Sequence, residues 1–168
     1  MRKEFVSRQQ LDLLPERLRK VEKTDATKEL NDYMWDLYEM NAYRAMKIMI
    51  VGAGGSYPAA LFAKHAIRNK MRTANVEAAT PQTAARILTQ FDSVNDGEWN
   101  PKYDIVIGIS YSGKTPDIKY VSDICEKKGF PFVLVTGAEK STLIDFYNES
   151  DRMKIISYFN SDDTTGKE

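Results

Sequence analysis

Two stretches of the chain carry residue types and spacings that suit an anion. Met49-Ile50-Val51-Gly52-Ala53-Gly54-Gly55-Ser56 and Ile105-Val106-Ile107-Gly108-Ile109-Ser110-Tyr111-Ser112-Gly113-Lys114-Thr115 each pass from an apolar strand into a turn of glycine and hydroxyl residues that opens a helix. A strand feeding a helix gathers unpaired backbone N–H groups and the positive end of the helix dipole at one place, and a phosphoryl group fits there. Small residues let such a ligand reach the backbone, while Ser and Thr add hydroxyl donors.

Three other chemistries compete for these residues. Gly108 to Thr115 fits the nucleotide pattern G-x-x-x-x-G-K-[ST], with Lys114 as the phosphate lysine and Thr115 as the magnesium ligand. That machinery also needs a strand ending in a carboxylate, whereas the strands here end in Leu134-Val135-Thr136-Gly137 and in Gly52. Pro116 follows Thr115 directly, and a nucleotide loop would leave the 52–56 turn without a role. Gly52-Ala53-Gly54-Gly55-Ser56-Tyr57 begins like the dinucleotide fingerprint G-x-G-x-x-G, but Tyr57 stands where the third glycine allows close helix packing. Glu77, spaced as a ribose-binding acid would be, then reads as a solvated strand-end residue. The hydrolase elbow G-x-S-x-G fails because Ser112 replaces its closing glycine.

The elements that must position the two turns are legible in the apolar pattern. From Lys47 the chain alternates strands at 47–52, 73–78, 103–109, 131–136 and 152–157 with helices at 56–70, 81–91, 116–128 and a short 141–148. Ile105-Val106-Ile107 and Phe132-Val133-Leu134-Val135 are apolar on both faces, as parallel strands covered by helices must be. The expected fold is therefore a three-layer αβα sandwich around a five-stranded parallel sheet of flavodoxin-like order 2-1-3-4-5. In that order the first and third strands are neighbours, and ligands bind beyond their carboxyl ends where the winding reverses. The two turns should converge on one crevice.

Residues 1–46 read as an N-terminal helical segment, with helices at 7–21 and 27–46. The second shows a stripe of Leu30, Tyr33, Met34, Leu37, Tyr38, Ala42, Ala45 and Met46 that should pack on the sheet or on a partner subunit. Residues 47–168 form the α/β domain, and the polar stretch 92–102 reads as its long loop. With 24 basic and 24 acidic side chains the chain has no charge surplus to hold nucleic acid or an anionic membrane surface, so the anion site must be local geometry. One cysteine, Cys125, makes no internal disulfide, and no apolar run approaches the ~20 residues of a membrane span; the expected location is the cytoplasm. The charged N-terminus does not read as a secretion signal. One His, one Cys and scattered acids imply no metal site, and no cofactor is expected.

With its two turns and the strand pattern around them, the chain resembles the sugar isomerase (SIS) domain family of phosphosugar-binding proteins over about residues 45–160. Ser110-Tyr111-Ser112-Gly113-Lys114-Thr115 is similar to the family's S-x-S-G-x-T loop after strand three, supported by Gly52-x-Gly54-Gly55-Ser56 after strand one. The resemblance implies that Ser56, Ser110, Ser112 and Thr115 grip a sugar phosphate, helped by the N–H groups of Gly55, Tyr111 and Gly113. It implies aldose–ketose phosphosugar isomerisation, with a non-catalytic sugar-phosphate sensor as the alternative. Tyr111 and Lys114 depart from the family's usual Gln and Glu; Tyr111 is then expected to lie along the sugar rather than hydrogen-bond it.

The resemblance also implies a carboxylate base, for the proton shift through an enediol, and a histidine for ring opening. His65 and Glu168 are the candidates. His65, the only histidine, stands about two and a half turns into helix 56–70 beside Ala63, Ala66 and Ile67, a setting that suits packing or a subunit interface. Asp162, Asp163 and Glu168 follow the fifth strand without matching the family's glutamate. Family members continue beyond this point, so the chain is expected to be the first part of a longer protein, or to work as a homodimer or beside a second SIS domain.

Overall fold

The computed structural model describes residues 24–40, 45–91, 102–147 and 149–158, together with Glu16, Arg19 and the strand pairs 94–95 and 98–99. Five strands, β1 (Lys47–Gly52), β2 (Asn75–Ala79), β3 (Ile105–Ile109), β4 (Phe132–Thr136) and β5 (Met153–Ser157), form one parallel sheet in the order 2-1-3-4-5. The central strands are buried almost throughout, which explains why their sequences carry no polar alternation.

Strand pleating sends alternate residues of β1 into two separate cores. Met49 and Val51 join Val106, Phe132, Leu134 and Ile155 beneath helices α3 (Pro81–Leu88) and α4 (Pro116–Lys128). Ile48 and Ile50 join Ile105, Ile107, Val133 and Ile156 on the opposite face, against α1 (Asp25–Met40) and Ala60 of α2 (Tyr57–Lys70). The result is the expected three-layer α/β sandwich. In α1, Ala26 and Leu37 are buried, and Leu30, Tyr33, Met34 and Tyr38 pack against the same core, so these residues of the stripe lie on the chain's own sheet, while Ala45 is exposed and Ala42 lies outside the described residues.

Several boundaries differ from expectation. Helix α1 is described as Asp25–Met40 and α3 stops at Leu88. The expected helix at 141–148 is a 3-10 turn over Lys140–Thr142 followed by further turns. Leu143, Phe146 and Tyr147 do have helical spacing, but Leu143 N–H donates to Lys140 O at 3.0 Å and Phe146 N–H to Leu143 O at 2.9 Å, three-residue steps, and the single four-residue step, from Tyr147 N–H to Leu143 O at 2.9 Å, does not extend into an α-helix. Inside the expected polar loop, Val94–Asn95 and Glu98–Trp99 pair as a two-residue antiparallel ribbon. Glu77 is not a solvated strand end. It lies within β2, and its carboxylate accepts from the Tyr103 hydroxyl at 2.6 Å, tying the edge strand to the segment that enters β3. The opposite edge is blunted too, since Glu149 Oε1 accepts from the Ile155 N–H of β5 at 3.1 Å. The expected helix at 7–21, apart from the helical Glu16 and Arg19, lies outside the described residues, as do residues 41–44 and the tail 159–168.

Candidate functional site

Strands β1 and β3 run side by side in parallel, and the last residue of each, Gly52 and Ile109, face one another in register. The two Gly/Ser turns therefore leave the sheet at the same level on adjacent strands, as the strand order requires.

The turn after β1 is a single 3-10 turn, Gly54–Ser56, closed by donation from Ser56 N–H to Ala53 O at 3.0 Å. It folds back so tightly that a Cβ on Gly52 would meet Ser56 O at 2.4 Å, so only glycine fits there. Gly54 takes φ +51°, a conformation glycine adopts without strain. No atom lies within 4 Å of where a Cβ on Gly54 or Gly55 would sit, leaving their backbone open to an approaching group. Ser56 occupies the N-cap position of α2, and its side chain makes no capping hydrogen bond.

The turn after β3 has its own internal order. Gly113 N–H donates to Ser110 O at 3.2 Å, closing a tight turn through Tyr111 and Ser112. The buried Ser110 hydroxyl and the Thr115 hydroxyl hydrogen-bond each other at 2.8 Å, and exposed Ser112 accepts from Lys114 N–H at 3.3 Å. Thr115 is the N-cap of α4, again without a side-chain capping bond. Helix α3 contrasts with both: its N-cap Thr80 accepts from Thr83 N–H at 3.4 Å, so that helix satisfies its own terminus. Helices α2 and α4 leave theirs uncapped by side chains, the arrangement that serves an anion.

This geometry removes the basis of the nucleotide pattern. Gly108, its first glycine, is a strand residue; a Cβ there would meet the Phe132 ring at 2.6 Å, so packing accounts for it. The Ser110–Gly113 turn is compact, and Lys114 and Thr115 precede the helix.

Neighbouring residues that the sequence does not single out hold the second turn. Tyr111 O accepts from Gly137 N–H and from Thr136 Oγ1, both at 3.1 Å, and Gly113 O accepts from the buried Tyr147 hydroxyl at 3.0 Å. Burial, reinforced by the Asp123 charge, raises the Tyr147 pKa and keeps this donor protonated. A small-residue strand end at Thr136-Gly137, like those after β1 and β3, is the one signal of this support; Tyr147 carries none.

Of the catalytic candidates, His65 is exposed on α2 and Glu168 lies outside the described residues. Cys125 is buried in the core beside α4, and burial pushes its thiol pKa up, so it is inert. Among the described residues no group of three or more His, Cys, Asp or Glu could hold a metal ion, and no helix is long and apolar enough to cross a membrane. A depression of about 260 Å³ lies at the other end of the sheet, where Phe130, Phe132, Arg152 and Met153 mark the starts of β4 and β5.

The fold has counterparts among solved structures. Over 82% of its length the chain aligns with tagatose-6-phosphate ketose/aldose isomerase from Escherichia coli, at TM-score 0.59 and 14% identity, covering 36% of that chain. Over 90% of its length it aligns with a ligand complex of a protein from E. coli CFT073, at TM-score 0.52 and 18% identity, covering 74% of that chain. The chain thus spans about a third of the first structure and about three quarters of the second. The sequence matches no family model and no curated protein. The fold implied by the resemblance in the two turns is the fold found.

Proposed function

We propose that the chain binds a sugar phosphate at the carboxyl ends of β1 and β3, with Ser56, Ser110, Ser112, Thr115 and the backbone of Gly55, Tyr111 and Gly113 around the phosphoryl group. The observation that carries this reading is the pair of uncapped helix N-termini on adjacent strands in register, one beside a hydroxyl pair 2.8 Å apart. The likeness to an isomerase of a phosphorylated ketose supports a sugar phosphate as the ligand, and aldose–ketose isomerisation as the reaction in which the site takes part. Exposed His65 and the absence of a second histidine favour a site whose acid–base groups come from a second domain or subunit, or a sensor that binds without turnover. A cytoplasmic homodimer is the setting we propose for either.

Thermal shift against a panel of pentose and hexose phosphates tests the reading, because a ligand that binds only the native state raises its stability, by about 2.7 kcal/mol at a hundred times Kd. The wild type should respond to a sugar phosphate and not to ATP with magnesium. The Ser110→Ala, Ser112→Ala double variant should fold and show no shift; an unchanged sugar-phosphate response in that variant overturns the assignment. Exchange of the proton on the carbon next to the carbonyl then separates an isomerase from a sensor.

A further inference from the structure

On the β4 side of the candidate crevice, Tyr111 is 76% exposed, although its main chain is among the best-held in the turn. Two donors from the end of β4, Thr136 Oγ1 and Gly137 N–H, converge on its carbonyl. Its ring lies directly on Gly137: a Cβ added to Gly137 would meet both Cδ2 and Cε2 of the ring at 2.8 Å. Gly137 has no positive φ, so its backbone does not demand glycine. The ring occupies the space that a side chain would take there, so the missing Cβ is the seat on which the ring rests.

Strand order then gives the ring a direction. β3 lies between β1 and β4, so a phosphoryl group held between the β1 and β3 turns has Tyr111 on its far side, over the end of β4. An aromatic face presents a broad apolar surface that complements the C–H face of a sugar, as rings do in ligand sites otherwise lined by a few polar groups. Resting on the proposed sugar-phosphate site, we infer that Tyr111, seated on Gly137, is the platform for the carbon skeleton of the ligand, with Gly137 as its positioning residue. The phenol hydroxyl has no part in this, and inorganic phosphate gains nothing from the ring.

The experiment compares affinities for inorganic phosphate and for the best-binding sugar phosphate by calorimetry, in the full chain. Tyr111→Ala should lower the ratio of sugar-phosphate to inorganic-phosphate affinity about five- to tenfold. Tyr111→Phe should behave as the wild type. Gly137→Ala, which keeps the ring and unseats it, should reproduce the selective loss, with its melting temperature reporting that the domain is folded. An unchanged sugar-to-phosphate affinity ratio in Tyr111→Ala overturns the inference, and so does a Tyr111→Phe variant as weak as Tyr111→Ala. If the Ser110, Ser112 double variant binds sugar phosphate as the wild type does, the site reading itself has failed; if it does not, an unchanged Tyr111→Ala ratio condemns the platform alone.

Discussion

The two turns share a sequence grammar but differ in where their support comes from. The turn after β1 is held from within, by hydrogen bonds from Ser56 N–H to Ala53 O and from Tyr57 N–H to Gly54 O and by the space that Gly52 leaves for the returning backbone. The turn after β3 has internal bonds of its own but is also held from outside, through Tyr111 by Thr136 and Gly137 and through Gly113 by Tyr147. Gly113, at φ +69°, is also pressed against Leu143, whose Cδ1 would lie 2.6 Å from a Cβ at that position. The first turn is a self-contained piece of local geometry that exposes backbone to a ligand. The second depends on the crossover between β4 and β5, so changes distant in sequence act on its hydroxyls.

Gly52→Ala attacks the self-contained turn where it has no freedom. The new methyl would lie 2.4 Å from Ser56 O, 2.7 Å from Ser56 C and 2.8 Å from Tyr57 N, all backbone atoms that move only if the turn and the start of α2 move. Overpacking against side chains costs roughly 1–3 kcal/mol, and against backbone the upper end or more is expected. Urea denaturation should therefore show a loss of about 3 kcal/mol. A loss under about 1 kcal/mol would mean that the turn refolds easily and is not a fixed half of the site.

Tyr147→Phe attacks the externally held turn. It leaves the Gly113 carbonyl buried without its donor, worth about 1–3 kcal/mol. The effect carries a pH signature. The Tyr147 pKa is raised in the fold by burial and by Asp123, so its contribution is complete below the ordinary tyrosine value of about 10 and is lost as pH climbs through the higher folded value. The stability gap between wild type and variant should stay constant from about pH 6 to about pH 9 and narrow above about pH 10. Tyr33 and Tyr103, likewise raised by burial, are present in both proteins and cancel in that difference. A gap that does not narrow would show that the Tyr147 pKa is not raised in the fold, and a gap near zero at neutral pH would show that the hydroxyl contact contributes nothing.

The same contrast explains what the sequence could express. The β1 turn is local, so its glycines and serine announce it within a single short segment, and the parallel strands announce themselves because Ile105-Val106-Ile107 must be apolar on both faces. The supports of the β3 turn are 25 to 34 residues away in sequence, and nothing about Thr136, Gly137 or Tyr147 says what each touches. The spacing of Leu143, Phe146 and Tyr147 even points to a helix, although Tyr147 is spaced that way to reach Gly113 while Leu143 fills the core. Glu77 looks solvated in the sequence for the same reason: its partner, Tyr103, comes from the approach to another strand. Local conformation is written in neighbours; support across the sheet is written in pairs that one sequence does not disclose.

The smallest structural effect is expected from Gly55→Ala, and it is the most informative about the ligand. Gly55 has no positive φ, and no atom lies within 4 Å of the added methyl, so nothing in the fold resists the change. Stability should shift by less than about 0.5 kcal/mol, or rise slightly because the unfolded chain loses freedom. Sugar-phosphate affinity should nevertheless fall, because the methyl occupies the approach to the Gly55 N–H that makes the backbone useful to an anion. Calorimetry with a sugar phosphate, alongside denaturation, separates the two readouts. If affinity and stability are both unchanged, the open side of the β1 turn does not face the ligand, and the phosphoryl group is held by the β3 turn alone.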